Sequence, residues 1–148
     1  MPKWLKIVLL IGGALVLTCG LVISGAAYWF NTHKDELKEK GEQVKADAEA
    51  FAQTTDQDGC VKEVLARLKK SSGFMDEVQH RVFLAECLRQ AADTKGFCDE
   101  VPGRGEVLQA ALWANGRCSD YDGPKEPCGR MMQEVVQFCA RHAKAQAP

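Results

Sequence analysis

The chain has 148 residues, 19 basic and 20 acidic, for a formal net charge of −1, and carries seven cysteines. Near-balanced, interspersed charge excludes the clustered basic face that nucleic acid requires and gives no strong attraction to anionic lipid surfaces. Beyond residue 30 there remain 118 residues, enough for one small domain with a modest core.

Residues 7–30, IVLLIGGALVLTCGLVISGAAYWF, contain no charged side chain in 24 positions. About 20 apolar residues cross hydrocarbon as a helix, the one open structure that satisfies every backbone N–H and C=O internally. At about 1.5 Å per residue this stretch spans roughly 36 Å, and a single membrane-spanning helix is predicted. Trp4 and the Tyr28-Trp29 pair mark its ends, where amphipathic rings prefer the headgroup level. A cleaved signal peptide is the rival reading, with Ser24-Gly25-Ala26 as its cleavage site, but its apolar core should run only about 7–15 residues. Cleavage as a lipoprotein before Cys19 fits worse, because Thr18 stands where a small residue is wanted. Cys19 reads as a small apolar residue within the bilayer, and Gly20 with Ser24 forms a small-xxx-small pair on which another helix could pack. The membrane is thus the first partner expected, with residues 1–6 as a cytoplasmic N-terminus.

Residues 31–55 read as a charged stalk helix. Leu37, Val44 and Phe51 fall seven apart, with Gly41 and Ala48 between them, on a background of Lys and Glu. This narrow stripe suits a solvated stalk resting on the domain better than a coiled coil, which needs three or four heptads.

An all-α domain over residues 56–145 is predicted next, a bundle of about four helices, with 146–148 as a loose tail. Asp56 and Asp58 can cap a helix of residues 60–70 whose apolar positions are Val61, Val64, Leu65 and Leu68. Residues 74–92 form a second helix, with Phe74, Val78, Val82, Ala85 and Leu88 on one face and Met75, Phe83 and Leu84 widening it. Gly96 punctuates its end. A third helix spans 106–118, with Val107, Leu108, Ala111, Leu112 and Cys118 as its inner face. Residues 119–127, SDYDGPKEP, form a turn, and residues 128–144 a last helix.

Six cysteines, Cys60, Cys87, Cys98, Cys118, Cys128 and Cys139, lie in this domain. An even number behind an export signal reads as three disulfides in an oxidising compartment. No CxxC occurs, so zinc-ribbon, iron–sulfur, haem-attachment and thioredoxin-type motifs have no support. Six cysteines allow 15 pairings. Folding 60–70 back on 74–92 brings Cys60 to Cys87. Folding the third helix on the fourth brings Cys118 to Cys128, which leaves Cys98 for Cys139. Export of the domain follows from the disulfides, since Lys3 and Lys6 are outnumbered by Lys34, Lys38, Lys40 and Lys45 beyond the span. A bacterial inner membrane, with the domain in the periplasm, is the expected location.

Chemistry-bearing groups are sparse. Cys139 and His142 have a ligand-like spacing, but a closed metal site needs four ligands, and Cys139 is better used in a disulfide. Asp99, Glu100 and Glu106 cluster around Pro102 and could do acid–base work opposite His80 or His142. Ser71 and Ser72 are explained by helix capping. No catalytic residue, cofactor or metal ligand is therefore assigned, and the chain does not read as an enzyme. Trp113 and Tyr121 are the candidate partner contacts, as aromatics near Arg117 and a turn. The expected role is a membrane-tethered binding or scaffolding module for a protein partner. The alternatives are a small envelope enzyme or redox protein, and a structural subunit assembled through Gly20 and Ser24.

Overall fold

The computed structural model describes residues 3–103 and 105–145; the tail expected at 146–148 lies outside them. The described residues form five helices and no strand. Contacts divide the chain between Lys40 and Gly41 into two units.

The first unit is the greater part of helix α1 (Lys3–Ala52). Residues 15–30 expose their side chains throughout, including Leu21, Ile23, Trp29 and Phe30. An apolar helix with no protein around it is what a membrane span requires, and α1 is the one helix among the described residues long and apolar enough to cross. At the polar end of the run His33 Nδ1 lies 2.9 Å from the Trp29 carbonyl, and the two rings stack at 4.7 Å.

The second unit opens with the last turns of α1. The stalk predicted over 31–55 therefore divides: its final segment is part of the bundle. Ala48 and Ala52 are buried, and Val44 and Phe51 pack against the core. The seven-residue stripe is thus a docking seam, used because the bundle offers it Phe83, whose ring centroid lies 5.9 Å from that of Phe51.

Helix α2 (Gln57–Leu68) starts at Asp56, whose side chain accepts from the Gly59 N–H at 2.8 Å. It runs back along α1, so that Arg67 pairs with Asp47 at 2.5 Å and lays its guanidinium 3.9 Å from the Phe83 ring centroid. Helix α3 (Phe74–Gln90) returns. Its first turn is fixed by Asp76, which accepts from both the N–H and the hydroxyl of Ser72 at 2.9 Å. The far end of this hairpin is stitched by Gln57: its buried amide donates to Asp93 at 3.0 Å and accepts from the Thr94 N–H at 3.2 Å. The turn that follows places Gly96 at φ +77°, a left-handed conformation that glycine adopts without steric cost.

Helix α4 (Val107–Arg117) and helix α5 (Lys125–Ala145) form the second hairpin. The Lys125 ammonium caps α4, donating to the carbonyls of Cys118 at 2.9 Å, Ser119 at 2.8 Å and Tyr121. Helices α3 and α5 lie side by side and parallel, since Glu77 pairs with Arg130 and Arg81 with Glu134 four residues further along each. Three disulfides tie the layers: Cys60–Cys87 joins α2 to α3, Cys118–Cys128 closes the α4–α5 turn, and Cys98–Cys139 pins the connecting loop to α5. Cys19 is the one free cysteine among the described residues.

Two predicted faces are rotated. On α3, Phe74 and Met75 are exposed, while Phe83, Leu84, Cys87 and Leu88 are buried. The Cys87 disulfide and the Phe83–Phe51 contact set the azimuth, and the first turns of α3 meet α5 through ion pairs. On α4 the predicted inner residues Val107, Leu108 and Leu112 face out, and Ala114 with Cys118 faces in. Leu112 precedes Ala114 by two positions, about 200° round the helix, so burying Ala114 and the Cys118 sulfur turns Leu112 outward.

Candidate functional site

One candidate surface is the outward side of α4. Val107, Leu108 and Leu112 are 78%, 73% and 63% exposed and lie on one stripe, at spacings of one, four and five residues. The inner stripe of the same helix, Ala110, Trp113, Ala114 and Cys118, is buried or half-buried. Helix α4 therefore has two apolar sides and only one of them is covered. Beside the open side runs a crevice of about 480 Å³ between α4 and α5. Its floor is built from small side chains, Ala110, Ala111 and Ala140, with Val136, and its rim carries Glu106, Gln133, Gln137 and Arg141. Glu106 also holds the loop before α4, accepting from the Gly103 N–H at 2.7 Å.

The two aromatics singled out from sequence fare differently. Trp113 is half-buried against the core, with the Arg117 guanidinium 5.5 Å from its ring centroid. It lines a cleft of about 210 Å³ with Leu65, Phe97 and Met132. Tyr121 is only 8% exposed, and its hydroxyl donates to the Leu65 carbonyl at 3.0 Å. Tyr121 is a core residue that fastens the α4–α5 turn to α2 and leaves little of its ring at the surface. What sequence reasoning missed is the open side of α4: an apolar stripe on a helix reads as core unless something indicates that the opposite stripe is the buried one.

The carboxylates near Pro102 do not assemble a catalytic pair. Asp99, Glu100 and Glu106 are exposed; Glu106 serves the loop cap, and Glu100 lies 4.0 Å from Arg117. His142 packs on Phe138 at 4.3 Å. No cluster of His, Cys, Asp or Glu among the described residues has the geometry to hold a metal.

Buried carboxylates are paired, and two of them, Glu77 and Glu134, join α3 to α5. Glu77 sits between α3 and α5, where hydrogen bonding from Arg130 holds its carboxyl below the ordinary 4.5. Burial pushes Glu86 up, but hydrogen bonds from Arg89 and Gln90 together with the charges of Arg89 and Lys45 outweigh it, and the net direction is down. His80 is lowered from 6.5, by burial first and then by Arg67, against a smaller opposing pull from Asp76. All three folded-state values lie below the unfolded ones, so the unfolded chain takes up protons first and acid destabilises the fold. The stability owed to neutral His80 is present above about pH 6.5 and is lost as pH falls through its lower folded value; that owed to Glu77 and Glu86 is lost in turn below about 4.5. Urea midpoints measured across this range are expected to fall in two stages, and His80→Gln is expected to remove the first. A flat profile between pH 7 and 5 in the parent chain would contradict the role of His80.

No family model matches the chain, and no curated protein or solved structure matches it significantly. The reading of function therefore rests on the molecule's own surfaces.

Proposed function

We propose that this protein is a membrane-anchored binding module whose domain captures a protein partner through the open side of α4 and the adjoining α4–α5 crevice. The observation that carries the reading is the side-by-side exposure of Val107, Leu108 and Leu112 on a helix whose other side is already packed. Contiguous apolar area on a small folded domain is costly in water and marks interaction surfaces. The shape favours an amphipathic helix as occupant. A groove between two helices, floored by alanines, lets a third backbone approach closely, and its polar rim of Gln133, Gln137, Glu106 and Arg141 can pair the flanks of that helix. Disulfides suit an oxidising, extracytoplasmic compartment, and on this reading the anchor lies in a bacterial inner membrane, with the domain facing the periplasm.

Photocrosslinking in cells tests this. A photoreactive phenylalanine derivative at Leu108 is expected to give a discrete protein adduct that Leu112→Asp abolishes, while the same group at exposed Lys62 gives none. Leu108→Asp with Leu112→Asp should change folding stability by no more than about 0.5 kcal/mol, as exposed positions do. Equal adducts at both positions, or a double variant that unfolds, would overturn the proposal.

A further inference from the structure

A second surface has a different chemistry. Where the last turns of α1, helix α3 and helix α5 meet, a groove of about 630 Å³ is rimmed by Lys45, Arg89, Arg141 and His142. Its apolar floor is Val82, Ala85 and Phe138. The one acid lining it is Glu86, which is buried and already bound by Arg89 and Gln90. Three permanent cations less that one carboxylate leave the lining at +2 before His142 is counted, in a chain whose net charge is −1. Lys45 acts on Glu86 through their opposite charges, an attraction already counted in that balance, and Arg141 stands exposed on the rim. The frame is stiff: the Cys98–Cys139 disulfide anchors the turn of α5 that carries Phe138, Arg141 and His142, and the Phe138 ring is held edge-on to Phe97 at 6.1 Å.

We propose that this groove binds a small organic anion, a carboxylate or phosphate carried on an apolar body. Guanidinium groups match both head groups through paired N–H donors, and Lys45 adds a point charge from the opposite wall. An apolar body laid over Val82, Ala85 and Phe138 leaves water for a packed surface. The volume lies within the range of small-molecule pockets, about 300–1,000 Å³. A bare inorganic anion would leave that floor unused.

The test uses the full chain in phosphatidylcholine nanodiscs, with the ring signals of His142 and Phe138 followed by NMR. Phenyl phosphate and benzoate are titrated, with inorganic phosphate and benzylammonium for comparison. At least one of the two aromatic anions is expected to shift both rings saturably and to bind about tenfold more tightly than inorganic phosphate, with benzylammonium silent. Lys45→Gln with Arg141→Gln is expected to weaken that affinity by about tenfold or more. Leu108→Asp with Leu112→Asp should leave it unchanged, which separates this groove from the α4 surface. Both variants change exposed side chains, so the fold is retained. Repeating the titration in nanodiscs of equal parts phosphatidylcholine and phosphatidylglycerol distinguishes the sources of such an anion: competition identifies a lipid headgroup, and unchanged affinity a soluble ligand. Equal responses to phenyl phosphate and benzylammonium, or full affinity in the Lys45/Arg141 variant, would overturn the proposal.

Discussion

Reduction of the three disulfides is expected to unfold the bundle while leaving the apolar part of α1 helical. The cross-links span separations of 27, 41 and 10 residues. Loop-closure entropy then assigns them about 3.5, 4 and 2.7 kcal/mol respectively, on the order of 10 kcal/mol together. The third loop lies within the second, so the sum is an upper bound. A domain of this size is held by roughly 5–15 kcal/mol in all, so losing its cross-links removes most of that margin. Intact mass after alkylation is expected to show Cys19 as the one free thiol before reduction and six more after it. Circular dichroism in detergent, with and without reductant, should show the bundle's helical signal lost on reduction without urea, while that of the apolar part of α1 remains. Replacing Cys98 and Cys139 together by Ser should cost most among the three pairs, and Cys118 with Cys128 least. An undiminished cooperative transition in the reduced protein would mean that the apolar core suffices alone.

Phe83→Ala is the single substitution expected to cost most, about 3–5 kcal/mol. The side chain is 1% exposed and stands where three elements join. Its ring meets Phe51 of α1, carries the Arg67 guanidinium of α2 on its face, and belongs to α3. Truncation leaves a cavity at that joint and removes the surface on which Arg67 lies. The Arg67–Asp47 pair should then loosen, since the same guanidinium makes both contacts. Phe74→Ala on the same helix is the control. Phe74 is 76% exposed, and its loss should stay within about 0.5 kcal/mol. Urea denaturation of both variants separates the two outcomes; comparable losses at the two positions would mean that α3 turns a different face to the core.

The contrast between these two phenylalanines also shows how far the sequence could be read. Periodicity placed Phe74 and Phe83 along one broad side of α3, because spacing reports which residues share a face and not which face turns inward. That choice was made by contacts distant in sequence: Phe51, the Cys60 sulfur, and the ion pairs that Glu77 and Arg81 make with α5. Helix α4 is the sharper case. Its Val107–Leu112 stripe outranks Ala110, Trp113 and Ala114 in apolar bulk, yet the disulfide at Cys118 and the packing of Trp113 rotate the bulkier side outward. The candidate partner surface arose from that rotation, so it could not be read from spacing. The groove rimmed by Lys45, Arg89, Arg141 and His142 was equally illegible, since its walls come from three helices far apart in the chain.

Local signals carried the remainder. An uncharged run of 24 residues determined by itself the one helix among the described residues long and apolar enough to cross a membrane, because hydrocarbon allows the backbone no other open solution. The Asp56 cap, the glycine at residue 96 and the turn around Gly123 divided the helices, since capping and turn chemistry act within a few residues. Six cysteines on short helices pointed to a cross-linked bundle, because two hairpins bring only a few of them into reach. Tertiary structure alone decided that the bundle's share of α1 begins at residue 41, that Tyr121 is core, and that one apolar side of α4 is left open. Each of these depends on how far a helix turns about its own axis once its neighbours are in place, a rotation set by packing between elements and carried by no local pattern.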